Sequence, residues 1–137
     1  MNLSFVLQAL HVSANLLWIG AIVGVAVILR APTSVDAVAR GKVAIVLYRR
    51  IANPAFIVSF VAGAALLVLL PSYYFVETHF MHAKLPLALG VIAIHHILGA
   101  RARRMAAGEA SPPSRAILIV LLVTALGAAL LALLKPF

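Results

Sequence analysis

Apolar positions fall in four long blocks, separated by segments that carry most of the chain's charge and proline. No charged residue stands between Leu3 and Leu29, and similar blocks cover about 54–70, 83–100 and 116–134. A hydrocarbon core about 30 Å thick is crossed by roughly 20 such residues in a helix. Asn53-Pro54 suits the start of the second helix, because proline is tolerated in a first turn, and Pro71 follows its end. The pattern predicts an all-α fold, a bundle of four transmembrane helices forming one membrane domain over 1–137. A secretory signal fits the first block poorly, since Arg30 follows the apolar stretch instead of preceding it.

Charge adds an orientation. Residues 30–53 hold Arg30, Arg40, Lys42, Arg49 and Arg50, residues 101–115 hold Arg101, Arg103, Arg104 and Arg115, and residues 71–82 hold no Lys or Arg. Nine of the eleven basic residues therefore sit on one side of a four-span arrangement. The positive-inside rule assigns that side to the cytoplasm and puts the N-terminus and C-terminus outside. The net charge of +8 is thus topological: the bilayer is the expected partner, and no nucleic acid is needed to explain it. Val43 to Ile51 is expected to carry the second helix into the headgroup layer, with Arg49 and Arg50 snorkelling. With 65% apolar and 10% charged residues the chain cannot dress a soluble surface, and without cysteine it has no thiol nucleophile or thiolate metal site.

Ionisable groups within lipid are costly and mark functional sites by default, although each histidine here also suits an interhelical hydrogen bond. In the first span Ser4, Gln8, His11, Asn15 and Trp18 share one helical face, which is expected to line the bundle interior. Gly20 and Gly24 suit close helix packing. In the third span Lys84 and His95 share a face about 16 Å apart, while His82 and His96 share another. Both spans run inward, which places His11 and His95 at comparable depth. Two imidazoles on facing helices suit haem axial ligation, with Lys84 above them for propionates. They also suit copper or a proton relay. Copper is disfavoured by the lack of Cys and the scarcity of Met. Trp18 suits packing or the flank of a porphyrin, and His79 is expected to be solvated. The fourth span has Thr124 as its polar side chain and a small-residue face of Ala125, Ala128, Ala129 and Ala132, which allows a homo-oligomer.

In order and spacing, these features resemble the HemJ-type protoporphyrinogen IX oxidases, four-helix membrane haem proteins of the CopD-like superfamily. The resemblance rests on His11, Trp18 and Gly20, on Leu-Tyr-Arg-Arg-Ile-Ala-Asn-Pro-Ala-Phe at 47–56, on His82-Ala83-Lys84-Leu85 followed by His95, and on the final Lys135-Pro136-Phe137. It covers most of the chain. It implies haem b as cofactor, in a bacterial inner membrane, with His11 as the leading axial ligand and roles for Lys84 and the Arg49/Arg50 pair. It also implies protoporphyrinogen IX as the tetrapyrrole oxidised and a quinone as electron acceptor. The catalytic candidates are Lys84 and Arg50, the haem-binding candidates His11, His95, Trp18, Lys84 and His82, and the iron ligands His11 and His95.

Two departures stand out. Ile28-Leu29-Arg30-Ala31-Pro32 replaces the family's aromatic-rich close of the first span, and of its Arg…Asn-Glu-x-Pro motif at the start of the fourth span only Arg115 remains. Three functions follow: a haem-dependent oxidase, a non-catalytic haem b electron-transfer protein, or a copper or small-solute transporter. The last needs a polar path, and the polar stripe of the first span stops near Trp18.

Overall fold

The computed structural model describes residues 2–32 and 34–134, and among these the chain is all-helical. Its elements are α1 (Leu3–Leu29), α2 (Ala37–Leu47), α3 (Asn53–Leu69), α4 (Met81–Ala106) and α5 (Arg115–Leu134). Four helices are long and apolar enough to cross a membrane, because α2 and α3 form one continuous helix, Ala37–Leu69, through a π-helical turn at Tyr48–Ala52. Asn2 and Asp36 cap α1 and α2 with their side-chain oxygens, which accept from Ser4 N–H and Ala39 N–H.

The π turn has a local cause. Pro54 has no N–H for the carbonyl four residues earlier, and its ring crowds that carbonyl. The helix widens just ahead of it, so that Asn53 N–H reaches Tyr48 O, five residues back. At 33 residues the combined helix is roughly 50 Å long, well beyond a 30 Å hydrocarbon core. The sequence expectation of a helix extended through Val43–Ile51 is met and exceeded, since the helix begins at Ala37. A second π turn, Tyr73–Glu77, follows Pro71 and leads into α4.

The bundle packs unevenly. At the end that carries the arginines, α1, α2 and α4 close tightly around Ile22, Val25, Leu29, Ala44, Leu98 and Met105, all fully buried. Gly41 makes this possible, for a Cβ there would meet the backbone N of Ala106 at 2.3 Å. Arg40 and Arg30 tie off the same end by donating to the carbonyls of Ala31 and Pro113. Helix α3 packs mainly on α1 and α5 mainly on α4, and apart from Asn53 and Phe56 beside His95, α3 scarcely meets α4. Helix α5 buries one side chain fully, Leu121, packs on α4 where Gly90 admits Thr124 and Gly127 admits Leu87, and makes a lesser contact with α1. Of the Gly20/Gly24 pair only Gly24 is close-packed, against Leu47. Gly20 faces open space, so the expectation of a two-glycine contact is corrected.

Candidate functional site

Two polar clusters interrupt the apolar interior. The first joins α1 to α3 and centres on His11. Its Nδ1–H donates to the carbonyl of Ser59 at 2.8 Å, and its Nε2 accepts from the Asn15 amide at 3.0 Å. Ser59 Oγ donates to Asn15 Oδ1 at 2.8 Å, which closes the ring of partners. Asn15 follows His11 by four residues, hence one turn along the same face. Ser59 interrupts the apolar run of α3 and is fully buried at this contact. Gly63, one turn further along α3, leaves space for the imidazole. A Cβ there would lie 2.8 Å from His11 Cε1 and 2.9 Å from Nδ1.

The second cluster joins α1, α3 and α4 around His95, which is completely buried. Trp18 Nε1–H donates to His95 Nδ1 at 3.1 Å, so the proton of this neutral ring sits on Nε2, 3.4 Å from Asn53 Oδ1. Tyr48 stacks on the ring at 4.7 Å between centroids and Phe56 lies against it at 4.8 Å. Gly99 creates the berth for Tyr48, because a Cβ there would be 2.3 Å from the phenol Cζ. The π turn places Tyr48 in this berth and leaves Arg49 and Arg50 exposed.

These contacts correct the expected depth relation. His95 is level with Trp18, and Trp18 lies seven residues, about 10 Å, along α1 from His11. The two imidazoles are therefore offset by two turns and belong to different clusters. The polar stripe of α1 also faces inward only in part: Trp18 is buried, Ser4, His11 and Asn15 are half-buried, and Gln8 is exposed. The contact of α1 with α4 is limited, and Trp18 with His95 forms its polar part.

Lys84 is half-buried and lies close enough to His11 for their charges to interact. Its ammonium stands 6.0 Å from the centre of the Phe80 ring, and no carboxylate pairs with it among the described residues. Arg50 is elsewhere. The pairings of Gly41 with Ala106 and Tyr48 with Gly99 put it opposite residues near Ile97, about 20 Å along α4 from Lys84. His82 is exposed at the start of α4 and bonds Phe75 O through Nε2. Lys135-Pro136-Phe137 lies outside the described residues. No group of three or more His, Cys, Asp or Glu residues able to hold a metal ion occurs among the described residues. An apolar hollow lined by Leu7, Leu10, Ile57, Val58, Val61 and Ala62 lies on the α1–α3 pair and includes none of the polar residues.

Ser59, Asn53, Tyr48, Gly63 and Gly99 were not singled out as site partners by the sequence pattern. The lone hydroxyl of α3 and the Asn before Pro54 were the available signals. Comparison of the chain with family models, with curated proteins and with solved structures finds no match.

Proposed function

We propose that the chain is a multi-pass protein of a bacterial inner membrane that binds haem b and serves as an oxidoreductase, taking electrons from protoporphyrinogen IX and passing them to a quinone. In this reading the basic end faces the cytoplasm and both termini lie outside. The observation that carries it is the pose of His11. Histidines that bind metals usually hold their other ring N–H on a carbonyl or carboxylate, and His11 holds its Nδ1–H on Ser59 O at 2.8 Å. Its Nε2 is the nitrogen for iron, once the Asn15 amide turns aside. Gly63 leaves the room that such a ring needs. Lys84, close by and without a carboxylate partner among the described residues, suits a propionate. Bound haem supplies one-electron steps between donor and acceptor. His95 would have to surrender Asn53 or Trp18 to become a second ligand, and Arg50 would meet a carboxylate only from the basic end.

A second reading, a haem b electron-transfer protein without catalysis of its own, is favoured by α5. Thr124 donates to Val120 O and Leu121 O of its own helix, so that helix offers the interior no group to take up protons. A transport function has less support, since the polar stripe ends at Trp18 within an enclosed cluster.

The test is an absorption spectrum of the detergent-purified chain, oxidised and dithionite-reduced. A haem b signature is expected. It should be lost in His11→Ala and reduced in Gly63→Ala, whose methyl displaces the imidazole from Ser59. Protein from haem-replete cells that shows no such signature refutes the haem reading. Restored growth of a bacterium lacking its own protoporphyrinogen oxidase supports the enzyme, and a haem-loaded chain that gives no rescue supports the electron-transfer protein.

A further inference from the structure

At the end opposite the arginines, the segment between the second π turn and α4 brings two histidines together. His79 and His82 have ring centroids 6.2 Å apart, with planes inclined by 36°. Both are exposed. His82 Nε2–H donates to Phe75 O at 3.1 Å, and the edge of the Phe75 ring meets the imidazole at 5.6 Å. With its proton on Nε2, His82 keeps a lone pair on Nδ1, the nitrogen left without a hydrogen bond. A backbone carbonyl that fixes the tautomer and ring direction is the usual support of a metal-binding histidine. His79 makes no side-chain hydrogen bond among the described residues, so either of its nitrogens is open to a ligand. It also holds φ at 46°, a left-handed conformation that is rare for residues other than glycine.

Ring spacing permits a shared ion. Metal–nitrogen bonds of about 2.1 Å, with about 1.2 Å from nitrogen to ring centre, allow two ligands of one ion to lie up to roughly 6.5 Å apart, and roughly 5.3 Å at a tetrahedral angle. The observed 6.2 Å falls inside that limit, and a movement of about 1 Å by two exposed side chains reaches the tetrahedral value. The donors decide the ion. Neutral imidazoles suit copper(II), nickel and zinc, and a pair without carboxylate or carbonyl oxygens does not suit calcium or magnesium. With no third His, Cys, Asp or Glu in the group, water completes the coordination and the ion stays exchangeable. The positive end of the α4 dipole opposes a cation here only weakly, because both imidazoles are exposed and the effect is screened by solvent and salt.

We propose that His79 and His82 form a two-imidazole clamp for a divalent transition metal at this surface, binding copper(II) more tightly than zinc. The clamp is separate from the His11 cluster and does not depend on haem. The experiment uses the full chain in detergent micelles, freed of any affinity tag, titrated with zinc alone by calorimetry and with copper(II) alone by electron paramagnetic resonance. One ion per chain is expected, with copper hyperfine structure from two nitrogen donors. His82→Ala and His79→Gly should each weaken zinc at least about tenfold, while His11→Ala should leave it unchanged. Glycine suits the backbone at position 79, so lost binding in His79→Gly reports the ligand and not misfolding. Failure of the unaltered chain to bind either ion, or binding that survives both changes or disappears with His11, overturns the proposal.

Discussion

Replacing Gly41 by alanine isolates the contact that seals the basic end. The added Cβ would lie 2.3 Å from Ala106 N, 2.6 Å from Met105 C and 2.8 Å from Ala106 Cα. All three are backbone atoms, so no side chain can swing aside. Restoring contact at about 3.5 Å requires α2 and α4 to part by about 1 Å, and a gap of that size forfeits a quarter to a half of the dispersion attraction across it. Ala44, Leu98, Ala102 and Met105 sit at this seam with no exposed surface, so they all feel the separation. Overpacking of a tight core costs about 1–3 kcal/mol, and a rigid obstacle places Gly41→Ala near the top of that range. Against this stands the helix propensity gained on replacing glycine, at most about 1 kcal/mol. Gly20→Ala gains the same propensity and meets nothing within 4 Å, which makes it the control. The difference between the two variants should be about 2–3 kcal/mol, or roughly 30- to 140-fold in the folding equilibrium. Unfolding in mixed micelles, followed by circular dichroism as denaturing detergent is added, measures it. Midpoints that agree to within about 0.5 kcal/mol would refute the argument, and with it the close approach of α2 to α4.

Two other expectations follow from the geometry. Trp18→Phe keeps a ring beside Phe56 but removes the donor to His95 Nδ1; leaving that buried acceptor bare should cost about 1–3 kcal/mol in the same unfolding assay, and an unchanged midpoint would dismiss the bond. A reporter active only in the cytoplasm should work when fused within residues 102–112 and fail when fused after residue 137, given nine of eleven basic residues on that side; the reverse pattern would invert the proposed orientation.

The four apolar blocks were legible because length and hydropathy suffice to mark a helix that can cross a bilayer. Much of the rest depended on partners. The charges at Arg40, Lys42, Arg49 and Arg50 read as a connecting segment, yet the backbone there stays helical and absorbs Pro54 by widening into a π turn. Periodicity placed His11 and Asn15 on one face correctly, but it carries no information about how far α4 slides along α1. That slide is set where Gly41 and Gly99 admit their neighbours, and it separated His95 from His11. The glycine pair at 20 and 24 had the spacing associated with packing, while the closest approach fell to Gly41, next to Lys42. Only a known neighbour could have singled it out.

Helix α5 buries little of itself against the rest of the protein. Because Leu121 is its only fully buried side chain, exchanges among Leu, Ile, Val and Ala along most of its length should be nearly neutral in evolution, provided length and apolarity persist. Constraint should concentrate at Leu121, at Thr124 and at Gly127, where α4 presses in. Drift elsewhere on α5 would leave little sequence signal along that helix. A descendant or cousin that keeps acidic or amide groups there, where packing asks for none, would be keeping them for chemistry.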